Sequence, residues 1–430
     1  MPLTTELKRL EPKRLPLNPN YPPFRQWKRS AVEEMLTGKP LNIYVHIPFC
    51  TQRCAFCYYK TIDLKERPEV EGYVAALCKE IEMATQRFHL GERKVTSIYF
   101  GGGTPTLLRE HHFEQLVECL HNNFQIDSPQ FTVEAEPLTV SESQMKILSK
   151  LGVSRVSLGV QSFCDPIIKL SGRGHDEKQA LRAIKIARET GDWSVNIDLL
   201  SGLAGETEET WARSVECALS TGVESITVYK MEAFSNTQVY QLGVREETLE
   251  LPSEEQELKF MQYAMEQFEQ ANYRPWSFFT FTKNGHYVNE YTQSIFETTD
   301  LYGFGASAYG VLGDTLLQNT IDLEKYTATV EAGEIPLARG HKLNSLEKMR
   351  REVLLGMKLL RLDLRDFQNR HGFKLEALCS SLLKQLDLEE FISFSKDEIE
   401  LTSKGILYGD YVGMSLAKAL ERSKEGCTSV

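Results

Sequence analysis

The sequence has no long apolar run. None of its 430 residues belongs to a stretch approaching the ~20 consecutive apolar residues that span a bilayer, so a membrane-embedded protein is not expected. Residues 1–30 are polar, rich in proline and arginine, and lack an apolar core. No secretory signal is therefore expected, and the location expected is cytoplasmic. Positive charge is in deficit: 49 Lys and Arg face 60 Asp and Glu, giving a net charge of −11. That balance argues against a non-specific nucleic-acid binder. There is no paired-cysteine framework. Cys78, Cys119, Cys164, Cys217, Cys379 and Cys427 are scattered, which fits a reducing compartment better than a disulfide scaffold. Four of them (Cys78, Cys119, Cys217, Cys379) fall in helix-like patterns, where free cysteine behaves as a small hydrophobe.

The remaining three cysteines are different. Residues 41–60 read LNIYVHIPFCTQRCAFCYYK. Ile43 to Ile47 is a short apolar run expected to form a buried strand, and Pro48 ends it, having no N–H for a sheet ladder. Cys50, Cys54 and Cys57 follow in C-x3-C-x2-C spacing. Three thiolates on one loop suit three irons of a [4Fe–4S] cluster. With no fourth cysteine nearby, one iron is left open to chelate a small molecule. The competing readings are a zinc knuckle and three buried cysteines. A structural zinc site is usually closed by four ligands in paired spacings, and no second pair follows.

From residue 41 strands and helices alternate. Strands are expected at Ile43–Ile47, Val95–Phe100, Phe131–Glu134, Arg155–Gly159, Ser194–Leu200 and Ser225–Tyr229. Helices are expected over 67–88, 110–123, 141–150, 176–190, 206–220 and 254–272 from their apolar spacing. Six such units linked by right-handed crossovers imply an α/β fold, a partial, three-quarter (β/α)6 barrel of the TIM type with its site at the strand C-termini. Residues 1–40, with a short helix at Ser30–Leu36, read as an N-terminal arm. Residues 41–320 read as the barrel. Residues 321–430 read as a small α+β winged-helix-like domain, with helices over 345–361 and 374–386, two strands, and a final helix over 403–420.

Every further motif falls at a strand end. Gly101, Gly102 and Gly103, followed by Thr104, let backbone approach a ligand closely. Glu134 and Glu136 in VEAEP share one face by alternation, and a carboxylate there suits an ammonium or ribose hydroxyls. Gln161, in SLGVQSF, offers an amide to the barrel mouth, and Arg173 follows as a bidentate partner for a carboxylate. Asp198 interrupts an apolar strand, and a buried carboxylate needs a polar partner. Lys230 and Met231 end the sixth strand, where Lys230 is either a rim lysine or catalytic. His46 and His175 read as structural.

Together, YVHIPFC with its two following cysteines, IYFGGGTPT, VEAEP, SLGVQSF, IDLLSGL and GFGASAYG resemble the oxygen-independent coproporphyrinogen III oxidase-like (HemN-like) branch of the radical S-adenosylmethionine (SAM) proteins. The resemblance covers residues 41–310, and the tail from about 340 resembles the C-terminal domain of the same branch. It implies a [4Fe–4S] cluster on Cys50, Cys54 and Cys57 and two SAM molecules. Tyr44, Gly102, Glu134 and Tyr309 would contact the cluster-bound SAM. Phe56, Gly103, Thr104, Gln161, Arg173, Asp198 and Met231 would line the second SAM site. It implies a small-molecule substrate and an electron donor such as flavodoxin or ferredoxin. Oxidases of the branch carry a further cysteine two residues after the last cluster cysteine, where this chain has Tyr59. Its haem chaperones carry H-N-x-x-Y-W, where this chain reads NGHYVNEYTQS. The expectation is therefore closest to the class C radical SAM methyltransferases and cyclopropane synthases, moving a methyl or methylene group to an sp2 carbon. The alternatives are a tetrapyrrole-acting relative, either a decarboxylase or a haem-opening methyltransferase, and a non-catalytic haem chaperone. Glu136, Lys230, Tyr291 and Tyr309 are the candidates for proton handling. Tyr58, Tyr59, Trp276, Phe278 and Phe279 are candidates for an apolar pocket wall.

Overall fold

In the computed structural model, residues 10–13, 21–28, 40–64 and 70–427 are described. The expected helix at Ser30–Leu36 and the first residues of the helix expected over 67–88 lie outside them.

The six expected strands form as β1 (Leu41–Ile47), β2 (Val95–Gly102), β3 (Gln130–Ala135), β4 (Arg155–Gln161), β5 (Ser194–Ser201) and β6 (Ser225–Lys230). They pair in parallel, each with the next. Between them run α1 (Val70–Arg87), α2 (Glu110–Asn123), α3 (Glu142–Lys150), α4 (Asp165–Leu170), α5 (Glu177–Thr190) and α6 (Glu208–Ser220), and α7 (Glu254–Gln270) follows β6. Helix starts are set by local chemistry. Ser141, Asp176, Thr207 and Ser253 each accept a hydrogen bond from a backbone N–H three residues on, each worth about 1 kcal/mol to its helix.

The strand set is larger than the sequence pattern implied. After β7 (Tyr273–Pro275) and β8 (Thr280–Lys283), a seventh parallel strand, β9 (Asp300–Phe304), pairs with the free edge of β1. The antiparallel strands β10 (Tyr309–Leu312), β11 (Thr315–Asn319) and β12 (Leu337–Lys342) extend it. The whole is one open twelve-stranded sheet in the order β12-β11-β10-β9-β1-β2-β3-β4-β5-β6-β8-β7. β9 carries no helix before it of the length seen in the other units, so βα alternation did not announce it. The main sheet thus runs on past residue 320, to Lys342.

The C-terminal part packs α10 (Ser345–Gly356), α11 (Leu364–His371), α12 (Leu375–Leu388), α13 (Ser403–Leu407) and α14 (Tyr411–Cys427) around a three-stranded antiparallel sheet. (α8 is Glu290–Phe296 and α9 is Leu323–Glu331.) Two helices here differ from their expected bounds. The helix expected over 345–361 stops at Gly356, a single 3-10 turn follows, and Leu360 takes a left-handed backbone. The single helix expected over 403–420 is two, separated at Gly409, whose φ of +55° no continuing helix can accommodate. A third short strand, Arg361–Asp363, joins the two expected ones.

The barrel wall is held by an apolar layer between the strands and their covering helices. Ile43, Val45 and Ile47 on β1, Val156 and Leu158 on β4, and Ile197 on β5 face outward into it and are fully buried. The alternate residues face the barrel interior and are polar: Asn42, Ser97, Thr132, Arg155, Ser157, Asn196, Ser225 and Thr227 are all buried. Hydrogen bonds satisfy most of them, Asn196 alone engaging Ser157, Asp198, Ser225 and Thr227. No helix among the described residues is long and apolar enough to cross a membrane.

Candidate cluster and cofactor site

The cysteine loop leaves β1 at Pro48 and is fastened from several sides. The Gly103 and Thr104 N–H groups donate to Ile47 and Phe49 carbonyls, and the Ile62 and Leu64 N–H groups donate to Pro48 and Cys50. Ala55 N–H donates to Ser171, and Val239 N–H donates to Ala55. These bonds fix the loop to the strand ends around it. Each sulfur also has a donor of its own. Thr104 Oγ1 lies 3.7 Å from Cys50 Sγ, and Arg173 Nη1 lies 3.5 Å from Cys54 Sγ. The Tyr59 backbone N–H faces Cys57. Burial pushes the Cys50 thiol up to about 12 and raises Cys54 and Cys57.

These residues fit an iron–sulfur cluster. Donors aimed at sulfur are what tune such a centre. The three sulfurs do not gather as ligands of one ion do: among the described residues, the one trio of His, Cys, Asp or Glu ligand atoms all within 4.8 Å of one another is Glu71, His111 and His112. In that trio His112 Nδ1 accepts from the Arg109 N–H at 3.1 Å, and its Nε2 lies 3.4 Å from Glu71.

Two polar stations stand beside the cluster loop. At the first, Glu134 on β3 accepts from Tyr99 Oη at 2.7 Å and from Gly102 N–H at 2.9 Å. Burial, with Asp198 adding to it, raises its pKa to about 7 against these bonds and the Arg155 charge. Tyr44 Oη lies 2.9 Å from His46 Nδ1, and the Tyr44, Tyr99 and Tyr291 rings stack together. His46 is buried and neutral, its pKa lowered to about 4 by burial. Gly102 has a φ of +115°, and a Cβ there would sit 2.5 Å from His46 Cε1. A Cβ on Gly103 would meet the Phe49 carbonyl at 2.5 Å. The triplet is therefore glycine for steric reasons.

At the second station, Asp198 on β5 accepts from Ser157 at 3.1 Å and from Asn196 at 2.9 Å. Burial raises its pKa, while Arg155 and these bonds oppose the rise. Gln161 ends β4 after a register shift, with φ +71°, an uncommon backbone for a non-glycine residue and one that clusters at functional sites. Arg173 Nη2 donates to the Gly159 carbonyl at 2.7 Å and lies 3.4 Å from Glu136. Met231 and Phe56 meet in a small apolar cluster with Ala55, Leu200 and Leu203. Thr104 is tied to the cysteine loop, its N–H donating to the Phe49 carbonyl and its hydroxyl facing Cys50 Sγ.

The residues expected around SAM are thus brought to one end of the sheet. The proton-handling candidates are more dispersed. Glu136 is held by Arg173 and by Gln52 at 3.1 Å. Lys230 pairs with Glu257 at 3.0 Å. Tyr309 Oη accepts from Arg351 at 2.9 Å, and its ring rests near Trp27 from the 21–28 segment. Tyr291 joins the Tyr44 stack. Of the aromatic candidates, Phe279 stacks on Tyr229, whereas Phe278 lies under the Lys358 ammonium of the C-terminal part.

Four residues escaped the sequence reading: Tyr99, Arg155, Tyr229 and Phe234. Tyr99 and Arg155 had a signal in strand alternation, being in step with Gly101 and with Ser157. Arg155 is buried on the inward face, and its Nη1 has no hydrogen-bond partner among the described residues.

The radical SAM superfamily model matches residues 44–218, and the HemN C-terminal domain model matches residues 343–408. A haem chaperone HemW from Bacillus subtilis is 31% identical over 86% of this chain and 97% of its own length. An oxygen-independent coproporphyrinogen III oxidase from Pseudomonas aeruginosa is 29% identical over 86% of this chain and 84% of its own. The solved structure of coproporphyrinogen III oxidase (HemN) from Escherichia coli superposes with a TM-score of 0.81, covering 94% of this chain and 96% of that one at 24% identity. At that identity the likeness speaks for the fold.

Proposed function

We reason from one premise, that the chain belongs to the radical SAM superfamily, in the family of HemN and HemW, and we propose from it a two-SAM enzyme that moves a one-carbon unit onto an sp2 carbon of a small unsaturated molecule. Cys50, Cys54 and Cys57 would hold the [4Fe–4S] cluster. Tyr44, Gly102 and Glu134 would hold the SAM on its open iron. Gln161, Arg173 and Asp198, with Phe56, Gly103, Thr104 and Met231, would hold the second SAM. Bound there and reduced by a donor such as flavodoxin or ferredoxin, the cluster would supply the electron needed to split SAM into methionine and a 5′-deoxyadenosyl radical.

The protein's part is positioning. Glu134, tied by Tyr99 and Gly102, presents one carboxylate, and Asp198, tied by Ser157 and Asn196, presents another. Each suits a polar group of one SAM. The observation that carries the one-carbon reading is at residue 59. It is a tyrosine, stacked on Tyr58 with ring centroids 4.3 Å apart, so no thiol follows the cluster cysteines at that position.

A second reading is tetrapyrrole chemistry, either oxidative decarboxylation or haem handling. The names of the relatives favour it over methyl transfer. The two separate in one assay. Reconstituted enzyme, reduced with SAM and candidate acceptors, yields S-adenosylhomocysteine beside 5′-deoxyadenosine if a methyl carbon moves. 5′-Deoxyadenosine alone with coproporphyrinogen III consumed, or tight haem binding with no SAM consumed, would replace the one-carbon reading.

A further inference from the structure

Away from the cluster loop, the seam between α1 and α2 brings two further cysteines together. Glu71 of α1 meets His112 of α2 at 3.4 Å, and the Cys119 thiol of α2 donates to the Cys78 carbonyl of α1 at 3.6 Å. Each pair is offset by 41 residues in the chain. The two pairs stand seven residues apart, about two helical turns. The helices therefore run parallel and in step, as successive crossovers of a parallel sheet do. In that register Cys78 and Cys119 face one another across the seam.

Both are free thiols, and their surroundings differ. Cys119 is buried in the core with Leu116 and Leu120, and Asn123 Nδ2 lies 3.8 Å from its sulfur. Cys78 is half-buried against the same core and open to solvent on its other side. The Cys119 thiol, hydrogen-bonded to Cys78, holds the Cys78 pKa below that of an ordinary thiol, while Cys78 and burial push Cys119 up. The thiolate is the reactive form of cysteine. Access and ionisation thus single out Cys78 as the sulfur that attacks, and they keep Cys119 unreactive until a partner is brought to it.

We infer that Cys78 and Cys119 form a reversible dithiol, a modification site at which a small-molecule disulfide is reduced and the two cysteines close to a bridge. The Cys78 thiolate attacks one sulfur of the small disulfide, whose S–S bond breaks as one half leaves as a thiolate. Cys119 then gives up its proton and attacks the Cys78 sulfur of the mixed disulfide, and the second half leaves. Two protein thiols are oxidised, one small disulfide is reduced to two thiols, and the two protein protons pass to the departing sulfurs. The bridge staples α1 to α2. It closes a chain loop that contains β2 and the Gly101–Thr104 turn, so the segment carrying the glycine triplet lies inside the crosslink.

The test incubates the cluster-loaded protein with oxidised glutathione in the absence of oxygen. The remaining thiols are blocked with N-ethylmaleimide in denaturant, and the digest is read by mass. The expected wild-type product is a pair of peptides joined through Cys78 and Cys119, two hydrogens lighter than the separate peptides, with N-ethylmaleimide lost from both positions. Cys119→Ser should stop the sequence halfway and leave one glutathionyl group on Cys78. Cys78→Ser should leave Cys119 reduced and unlinked. Iron and sulfide content should stay unchanged, which separates this exchange from loss of Cys50, Cys54 and Cys57 from a cluster. N-ethylmaleimide on both Cys78 and Cys119 of the wild type, or a glutathionyl group that persists there on Cys78, overturns the inference. The readout needs no turnover, so it is independent of the radical chemistry.

Discussion

At the scale of residues, the account turns on Glu134. Its carboxyl is buried against Tyr99 of β2, Tyr44 of β1 and Tyr291 of α8, with Asp198 of β5 and Arg155 of β4 as the charges facing it. A folded pKa of about 7 against an ordinary 4.5 means that the folded state holds a proton between those values that the unfolded chain has lost. Glu134 therefore contributes stability at low pH that is lost as pH rises from 4.5 to about 7. A SAM ammonium needs the ionised form, so SAM affinity should strengthen as pH rises through 7. Titration of the loaded protein with SAM between pH 6 and 8 checks this, and Glu134→Gln should flatten the profile. A profile unchanged in the variant would remove Glu134 from the site. A second prediction concerns Gly102. Alanine there is forced into a φ of +115° with its Cβ against His46. A loss of about 1–3 kcal/mol in denaturant unfolding is expected, together with weaker SAM binding.

At the scale of elements, the strands of the parallel core were legible because each is a short, largely apolar run between helix-like stretches. Asp198 stood out as a charge in an apolar strand, and the glycine triplet stood out as a turn at a strand end. What was illegible came from partners distant in the chain. The seventh strand, Asp300–Phe304, has no apolar run longer than its neighbours, and only its pairing with β1 defines it. Tyr58 and Phe234 are far apart in sequence, so their ring contact could not be read from spacing. Arg155 looked like any strand-edge arginine, because its burial depends on the barrel closing over it. The same holds for Glu80 on α1, which is fully buried and accepts from Gly305 N–H at 2.8 Å, Asn319 at 2.7 Å and Tyr326 at 2.6 Å. It ties α1 and α9 to the loop after β9. Glu80→Ala leaves all three donors without that acceptor and should cost about 3 kcal/mol or more, measured by chemical denaturation. A cost under 1 kcal/mol would mean the knot is not what holds that wall.

At the scale of the whole molecule, the C-terminal part is joined to the barrel through a buried charge. Lys358 is fully buried, pairs with Asp410, and sits 4.8 Å over the Phe278 ring, while its carbonyl accepts from Phe278 N–H. The adjacent Phe279 meets Phe278 edge-on at 4.9 Å and stacks on Tyr229. Lys358→Ala strands Asp410 without that ammonium, and breaking such a buried pair costs about 3–5 kcal/mol. A lowered thermal midpoint is expected, along with a lowered denaturant midpoint, since Phe278 loses the ammonium over its ring. Full retention of both would show that the C-terminal part only covers the barrel and does not shape it.

The central claim is that two SAM molecules meet between Glu134 and Asp198. The measurement that reaches it most directly uses SAM deuterated on its methyl group with the reduced, reconstituted enzyme, followed by the mass of the 5′-deoxyadenosine formed. Deuterium in that product is predicted, and Asp198→Asn should abolish it while leaving the iron content intact. 5′-Deoxyadenosine free of deuterium would contradict the claim and turn the site over to hydrogen removal from another substrate.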